Sequence, residues 1–119
     1  LMMLDHSTRA AASMDFGGLA KTPRKAITMG VASILNARRI VLLAWGERKA
    51  PVIRGAVEGT VTEQNPASYL QTHPNTLFVI DEAAASELTR MKTPWLVDSV
   101  VWDNKMKKKA VTHLSLTLG

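Results

Sequence analysis

Two apolar runs dominate the pattern of hydrophobic and polar positions: Ile40-Val41-Leu42-Leu43-Ala44-Trp45 and Thr76-Leu77-Phe78-Val79-Ile80. The first runs apolar throughout without alternation, which predicts a strand buried on both faces of a parallel sheet, and the second reads the same way. Gly46 ends the first strand. Lys49 to Val57 follows as a helix with Pro51 in its first turn, where a missing N–H costs nothing. Asn65-Pro66 repeats that start signal for a short helix through Leu70, and His73-Pro74 breaks it. After the second strand, Asp81 is placed to cap a helix over Glu82–Met91. Strand, helix, strand, helix in this rhythm predicts a layered α/β sheet.

The flanks are less regular. Ser7 to Lys21 is rich in small residues and contains Gly17-Gly18, so it reads as loop with at most a short helix. Ala26-Ile27-Thr28-Met29 is a marginal strand that stops at Gly30, and Val31 to Ala37 suits about two helical turns. Beyond Thr93-Pro94, Trp95 to Trp102 is apolar with aromatic ends. Asn104 to Leu118 then forms a helix with Met106, Ala110, Leu114 and Leu118 stacked at i, i+4 spacing. Two good strands and one marginal one are few for a complete sheet. The opening Leu1-Met2-Met3-Leu4 also reads like a chain entered mid-strand. Both features predict a portion of a longer domain.

Composition narrows the function. At 119 residues, 46% apolar and 21% charged, the chain has globular values and room for one core. No stretch approaches the 18 or so apolar residues of a membrane span, so no membrane partner is expected. Cysteine is absent, which removes disulfides, thiolate metal sites and thiol chemistry, and fits a cytoplasmic setting. The net charge of +5 resides in residues 1–60, where 9 Lys/Arg face 4 acids; residues 61–119 hold 6 of each. A basic half invites an anionic partner. With 5% aromatics there is little to stack bases on, so a phosphorylated metabolite is a better fit than nucleic acid.

The strongest site signal is the turn Trp45-Gly46-Glu47-Arg48-Lys49-Ala50-Pro51. Ligands of open α/β sheets bind at the carboxyl ends of strands, and a helix start offers free N–H groups to phosphate. Gly46 lets the backbone approach closely, and Lys49 adds a point charge where cations are otherwise disfavoured. An ordinary βα turn with two exposed cations explains the same residues about as well. Elsewhere, Glu58-Gly59 reads as a helix end with a structural role, and capping accounts for Asp81 beside Glu82. His73 has no second histidine to make a metal site or a triad, and Asp5, His6 and Arg9 form a polar cluster within a loop. No complete catalytic set and no metal or cofactor site is present in the sequence.

Five segments fall in an order and spacing that resemble the C-terminal half of glucosamine-6-phosphate deaminase: Ala26–Val31, Trp45–Ala50, Ala56-Val57-Glu58-Gly59, Leu70–Asn75 and Asp81-Glu82-Ala83. The likeness covers residues 5–90. The tail from Thr93 resembles the extension of longer, fused bacterial forms. The resemblance implies a three-layer Rossmann-like sheet of the deaminase, ribose-5-phosphate isomerase and CoA-transferase type, present only as a C-terminal portion. Residues 1–92 would belong to the sugar-phosphate domain and 93–119 to an extension or linker with a helix.

The implied reaction converts glucosamine 6-phosphate and water to fructose 6-phosphate and ammonia, without a cofactor. The family's acid–base Asp, His and Glu and a Gly-rich phosphate loop precede the segment that this chain matches. The chain would therefore hold no catalytic residue and be inactive alone. What carries over is Lys49, matching the family's phosphate lysine, beside Gly46 and its neighbouring backbone. Thr8-Arg9 matches a pair in the family's mobile lid. Met14 stands where the family has a second substrate-binding arginine, which leaves Arg9 as the candidate lid cation. The resemblance also implies a homo-oligomeric full-length protein. Two other readings stay open: a 6-phosphogluconolactonase-like hydrolase, and a non-catalytic sugar-phosphate-sensing module.

Overall fold

The structure, a computed structural model, describes residues 1–118. Gly119, the last residue of the expected extension, lies outside the described residues. The chain divides into two compact units, Leu1–Asn36 and Ala37–Gly119.

The first unit runs β1 (Met2–Met3), α1 (His6–Ala12), β2 (Lys25–Ala26) and α2 (Val31–Leu35). The two short strands pair antiparallel, Met2 against Ala26 and Met3 against Lys25. The expected loop from Ser7 contains a seven-residue helix, because Asp5 caps it: its carboxylate accepts the Thr8 N–H at 2.7 Å and the Ser7 hydroxyl at 2.8 Å. Gly17 and Gly18 then turn the chain with φ of 68° and 119°. The marginal strand expected over Ala26–Met29 stops at Ala26, since its partner offers only two residues. Ile27 is left 89% exposed.

In the second unit, β3 (Ile40–Ala44) is followed by a 3₁₀ turn, Glu47–Lys49, and by α3 (Ala50–Val57). A 3₁₀ helix, Pro66–Thr72, leads to β4 (Thr76–Ile80), then α4 (Glu82–Ala85), α5 (Thr89–Lys92) and α6 (Asn104–Leu118). β3 and β4 pair parallel in register from Ile40–Thr76 to Ala44–Ile80. A parallel pair needs a crossover, and α3 with the 3₁₀ helix supplies it, making a βαβ unit. The α/β character read from the sequence is therefore observed as one parallel pair with one helical layer.

Ala50, Ile53 and Ala56 are buried at i, i+3, i+6 along α3, with Leu70, Ala84, Ala85 and Ile40 completing the core. Burying Ile53 contributes about 2 kcal/mol. Ser68 is fully buried and closes the loop before it: its hydroxyl accepts from Thr62 N at 2.8 Å and donates to Thr62 O at 3.2 Å.

Three expectations need correction. The strands are covered on one face only: Val41, Leu43, Leu77 and Val79 are 43–60% exposed on the other. Two strands with a single crossover can bring helices to one face and no more. The helix expected over Glu82–Met91 is broken after Ala85, and a second one starts at Thr89. Glu58 causes the restart: its carboxylate accepts the Thr89 N–H at 2.9 Å and the Thr89 hydroxyl at 2.7 Å, acting as a cap supplied from 31 residues away. In α6 the half-covered residues are Met106, Ala110 and His113, whereas Leu114 and Leu118 stay exposed. His113 takes the inner position by meeting the Trp95 ring edge-on at 5.9 Å, and Trp95 lies 6.1 Å from Trp102.

Candidate functional site

Because β3 and β4 are parallel, their carboxyl ends share one edge of the sheet, and the crossover helix begins there. Gly46 leaves β3 with φ 87° and ψ 146°. A Cβ at this position would meet nothing within 4 Å, so backbone conformation and not space reserves the position for glycine. The next three residues form the 3₁₀ turn, closed by Lys49 N–H donating to Gly46 O at 2.9 Å. Lys49 is exposed at the end of that turn, directly before α3. First-turn N–H groups of a helix have no intrahelical acceptor, so an anion held here meets amide donors and an ammonium together.

Asp81 occupies the end of β4 and ties it to β3. Its two carboxylate oxygens accept the Gly46 N–H at 3.1 and 3.2 Å, and Oδ1 also accepts Ala84 N–H at 2.7 Å to cap α4. Gly46 was expected to offer neighbouring backbone to a phosphate. Its own N–H is already taken, and among the described residues the turn's N–H groups left without an acceptor are those of Glu47 and Arg48. The cap on α4 follows from the local sequence. The bond to Gly46 spans 35 residues and carries no local signal.

The other candidates resolve into structural roles. His73 accepts Asn75 N–H at Nδ1, 3.2 Å away, so Nε2 carries the proton and donates to Ala37 O at 2.8 Å. Asn75 Nδ2 donates to Arg38 O at 3.1 Å. His73 and Asn75 thereby clip together the amino ends of β3 and β4, a role that sequence reasoning missed. Glu58 is the cap of α5. Gly59 lies so close to α3 that a Cβ there would come within 2.6 Å of Gly55 O.

Arg9 belongs to the first unit, where its Nη2 donates to Leu19 O at 2.9 Å and Thr22 O at 3.3 Å. Its Nε is buried without a partner among the described residues. The guanidinium thus holds the 19–22 loop closed, while Met14 is 90% exposed. The Asp5, His6 and Arg9 cluster lies not in a loop but on α1 and its cap. In the second unit a cleft of about 460 Å³ runs along α3 between Arg54, Gly55, Glu58, Glu87 and Thr89, and neither Gly46 nor Lys49 lines it. Among the described residues no three His, Asp or Glu gather as metal ligands. Among the described residues no helix is long and apolar enough to cross a membrane.

Residues 3–79 match the family model described as glucosamine-6-phosphate isomerases/6-phosphogluconolactonase. The match spans more than half of the chain, including β3, β4 up to Val79, the Gly46–Lys49 turn and α1, and the chain belongs to that family. Among its relatives is a putative glucosamine-6-phosphate deaminase-like protein of Bacteroides thetaiotaomicron, 46% identical over all 119 residues, which cover 18% of that protein. A glucosamine-6-phosphate deaminase of Streptococcus equi subsp. zooepidemicus is 53% identical over 85 residues, 71% of this chain and 36% of the relative. The structure is similar to that of a monomeric glucosamine-6-phosphate deaminase, with a TM-score of 0.69 and 40% identity, covering 72% of this chain and 36% of that one. The chain spans about a third or less of the length of each.

Proposed function

We propose that this chain is the C-terminal portion of a glucosamine-6-phosphate deaminase and supplies part of its phosphate site. The carrying observation is Lys49: it stands exposed, after a positive-φ glycine, between a parallel strand's carboxyl end and a crossover helix. Relatives named as glucosamine-6-phosphate deaminases at 53% and 51% identity favour this reading over the lactonase. The phosphate of glucosamine 6-phosphate sits against the Lys49 ammonium and the Glu47 and Arg48 amides that open the turn. This fixes one end of the sugar so that the acid–base groups, supplied by sequence outside these residues, meet carbons 1 and 2 at the other end. Residues 1–92 form part of the sugar-phosphate domain and 93–119 an extension. The family match over residues 3–79 lies wholly within the first of these segments. Arg9 serves the lid, once released from Leu19 and Thr22, in a soluble, cytoplasmic homo-oligomer.

The test is a comparison of ligands in the full-length protein. Lys49→Ala weakens binding of glucosamine 6-phosphate by about a hundredfold, as for a lost charge-assisted contact, and leaves glucosamine binding within about twofold. Equal weakening of both, read by calorimetry, refutes the phosphate role.

A further inference from the structure

We propose that Asp81 is a positioning residue for phosphate recognition: it fixes the turn that presents Lys49 and does not touch the ligand. The proposal rests on the phosphate reading of Lys49. An N-cap for α4 needs one oxygen facing Ala84 N–H, and serine, threonine or asparagine would serve as well. The Asp81 carboxylate does more. It also receives the Gly46 N–H, joining the ends of two strands across 35 residues.

Gly46 is where such a tether has an effect. Glycine at φ 87° has the widest conformational freedom of any residue, and three residues later the chain must deliver Lys49. With its N–H bound to Asp81 and its carbonyl bound to Lys49 N–H, Gly46 has both polar groups fixed. Released from Asp81, the turn pivots at Gly46 and carries the ammonium and the open amides away from a common point. A carboxylate this near to an anion site also costs some affinity through like-charge repulsion. The position therefore trades electrostatic attraction for geometry.

The side-chain geometry separates the cap from the tether. Oδ1 alone lies within 3.1 Å of Gly46 N and 2.7 Å of Ala84 N. Asparagine keeps that oxygen and both bonds. Serine keeps the cap, but its shorter side chain does not reach Gly46.

In the full-length enzyme, Asp81→Ser raises KM for glucosamine 6-phosphate about tenfold with kcat within about twofold. It leaves glucosamine binding near wild type, and Asp81→Asn keeps KM at or below the wild-type value. Lys49→Ala is measured alongside. If Lys49→Ala abolishes discrimination between the phosphorylated and plain sugar while Asp81→Ser retains it, the positioning role is refuted and the phosphate site stands. If Asp81→Ser instead weakens both sugars equally, the tether acts on the fold as a whole and not on the phosphate turn, and the proposal fails. If Lys49→Ala leaves discrimination intact, the phosphate reading fails and this proposal falls with it.

Discussion

The two ends of the β3–β4 pair are built from similar materials to different effect. At the amino ends, Arg38 and Arg39 are exposed, yet the backbone beside them is closed: His73 and Asn75 reach the carbonyls of Ala37 and Arg38, and Ile40 N–H meets Asn75 O at 3.0 Å. At the carboxyl ends the fastening is one carboxylate, and the 3₁₀ turn and α3 start directly beyond it. Two cations stand at each end: Arg38 and Arg39 at one, Arg48 and Lys49 at the other. Charge alone therefore does not distinguish them. The difference is the supply of unpaired backbone donors, present at a helix start and absent where a strand begins. Positive charge marks both ends, and the proposed phosphate site needs the donors that only one of them offers.

The contrast fails if the amino-end clip proves dispensable, and His73 gives the largest effect. His73→Ala removes the bond to Ala37 O and leaves the Asn75 N–H without its acceptor. The expected loss is about 2 kcal/mol of stability in urea titration, with the discrimination between phosphorylated and plain sugar unchanged. A loss below about 0.5 kcal/mol would mean that the clip does not hold the strands together. Asn75→Ala comes next, at about 1 kcal/mol, since only the bond to Arg38 O is lost. The double substitution falls short of the sum, because both side chains fasten the same strand ends.

These roles differ in how far the sequence reveals them. The strands, Pro51 in the first turn of α3 and the full span of α6 follow from local rules: apolar runs, proline at a helix start and i, i+4 spacing. The turn holding Gly46 and Lys49 was also legible, since strand end, glycine and helix start are contiguous. What the sequence hid depends on partners far along the chain. No local rule makes Glu58 restart a helix at Thr89, sends His73 to Ala37 or joins Asp81 to Gly46. The one-sided sheet was missed for a different reason. Unbroken apolar strands such as Val41 to Leu43 encode a layer on each face, whereas the described residues supply one crossover. That mismatch agrees with the chain spanning 36% of its deaminase relatives.

The smallest effect separates a local cap from a long-range one. Asp5 and Asp81 open helices with the same geometry, each accepting the N–H three residues on at 2.7 Å. Every side-chain partner of Asp5 lies within three residues, and removing the carboxylate should disturb α1 alone. The Thr8 amide bond, and after it the Ser7 hydroxyl, holds the Asp5 carboxyl below its ordinary value of 3.8. A carboxyl depressed in the folded state stabilises the fold above its unfolded pKa, and that contribution disappears as pH falls through the lower, folded value. The Thr8 amide resonance, followed by NMR from pH 6 downward, should therefore shift with a midpoint below 3.8. Asp5→Asn, which keeps an acceptor without the charge, should flatten that titration and leave the Gly46 amide unmoved. A midpoint at or above 3.8 would show that the cap does not hold in solution. A Gly46 resonance displaced by the Asp5→Asn substitution at pH 6 would show that the two caps are not independent.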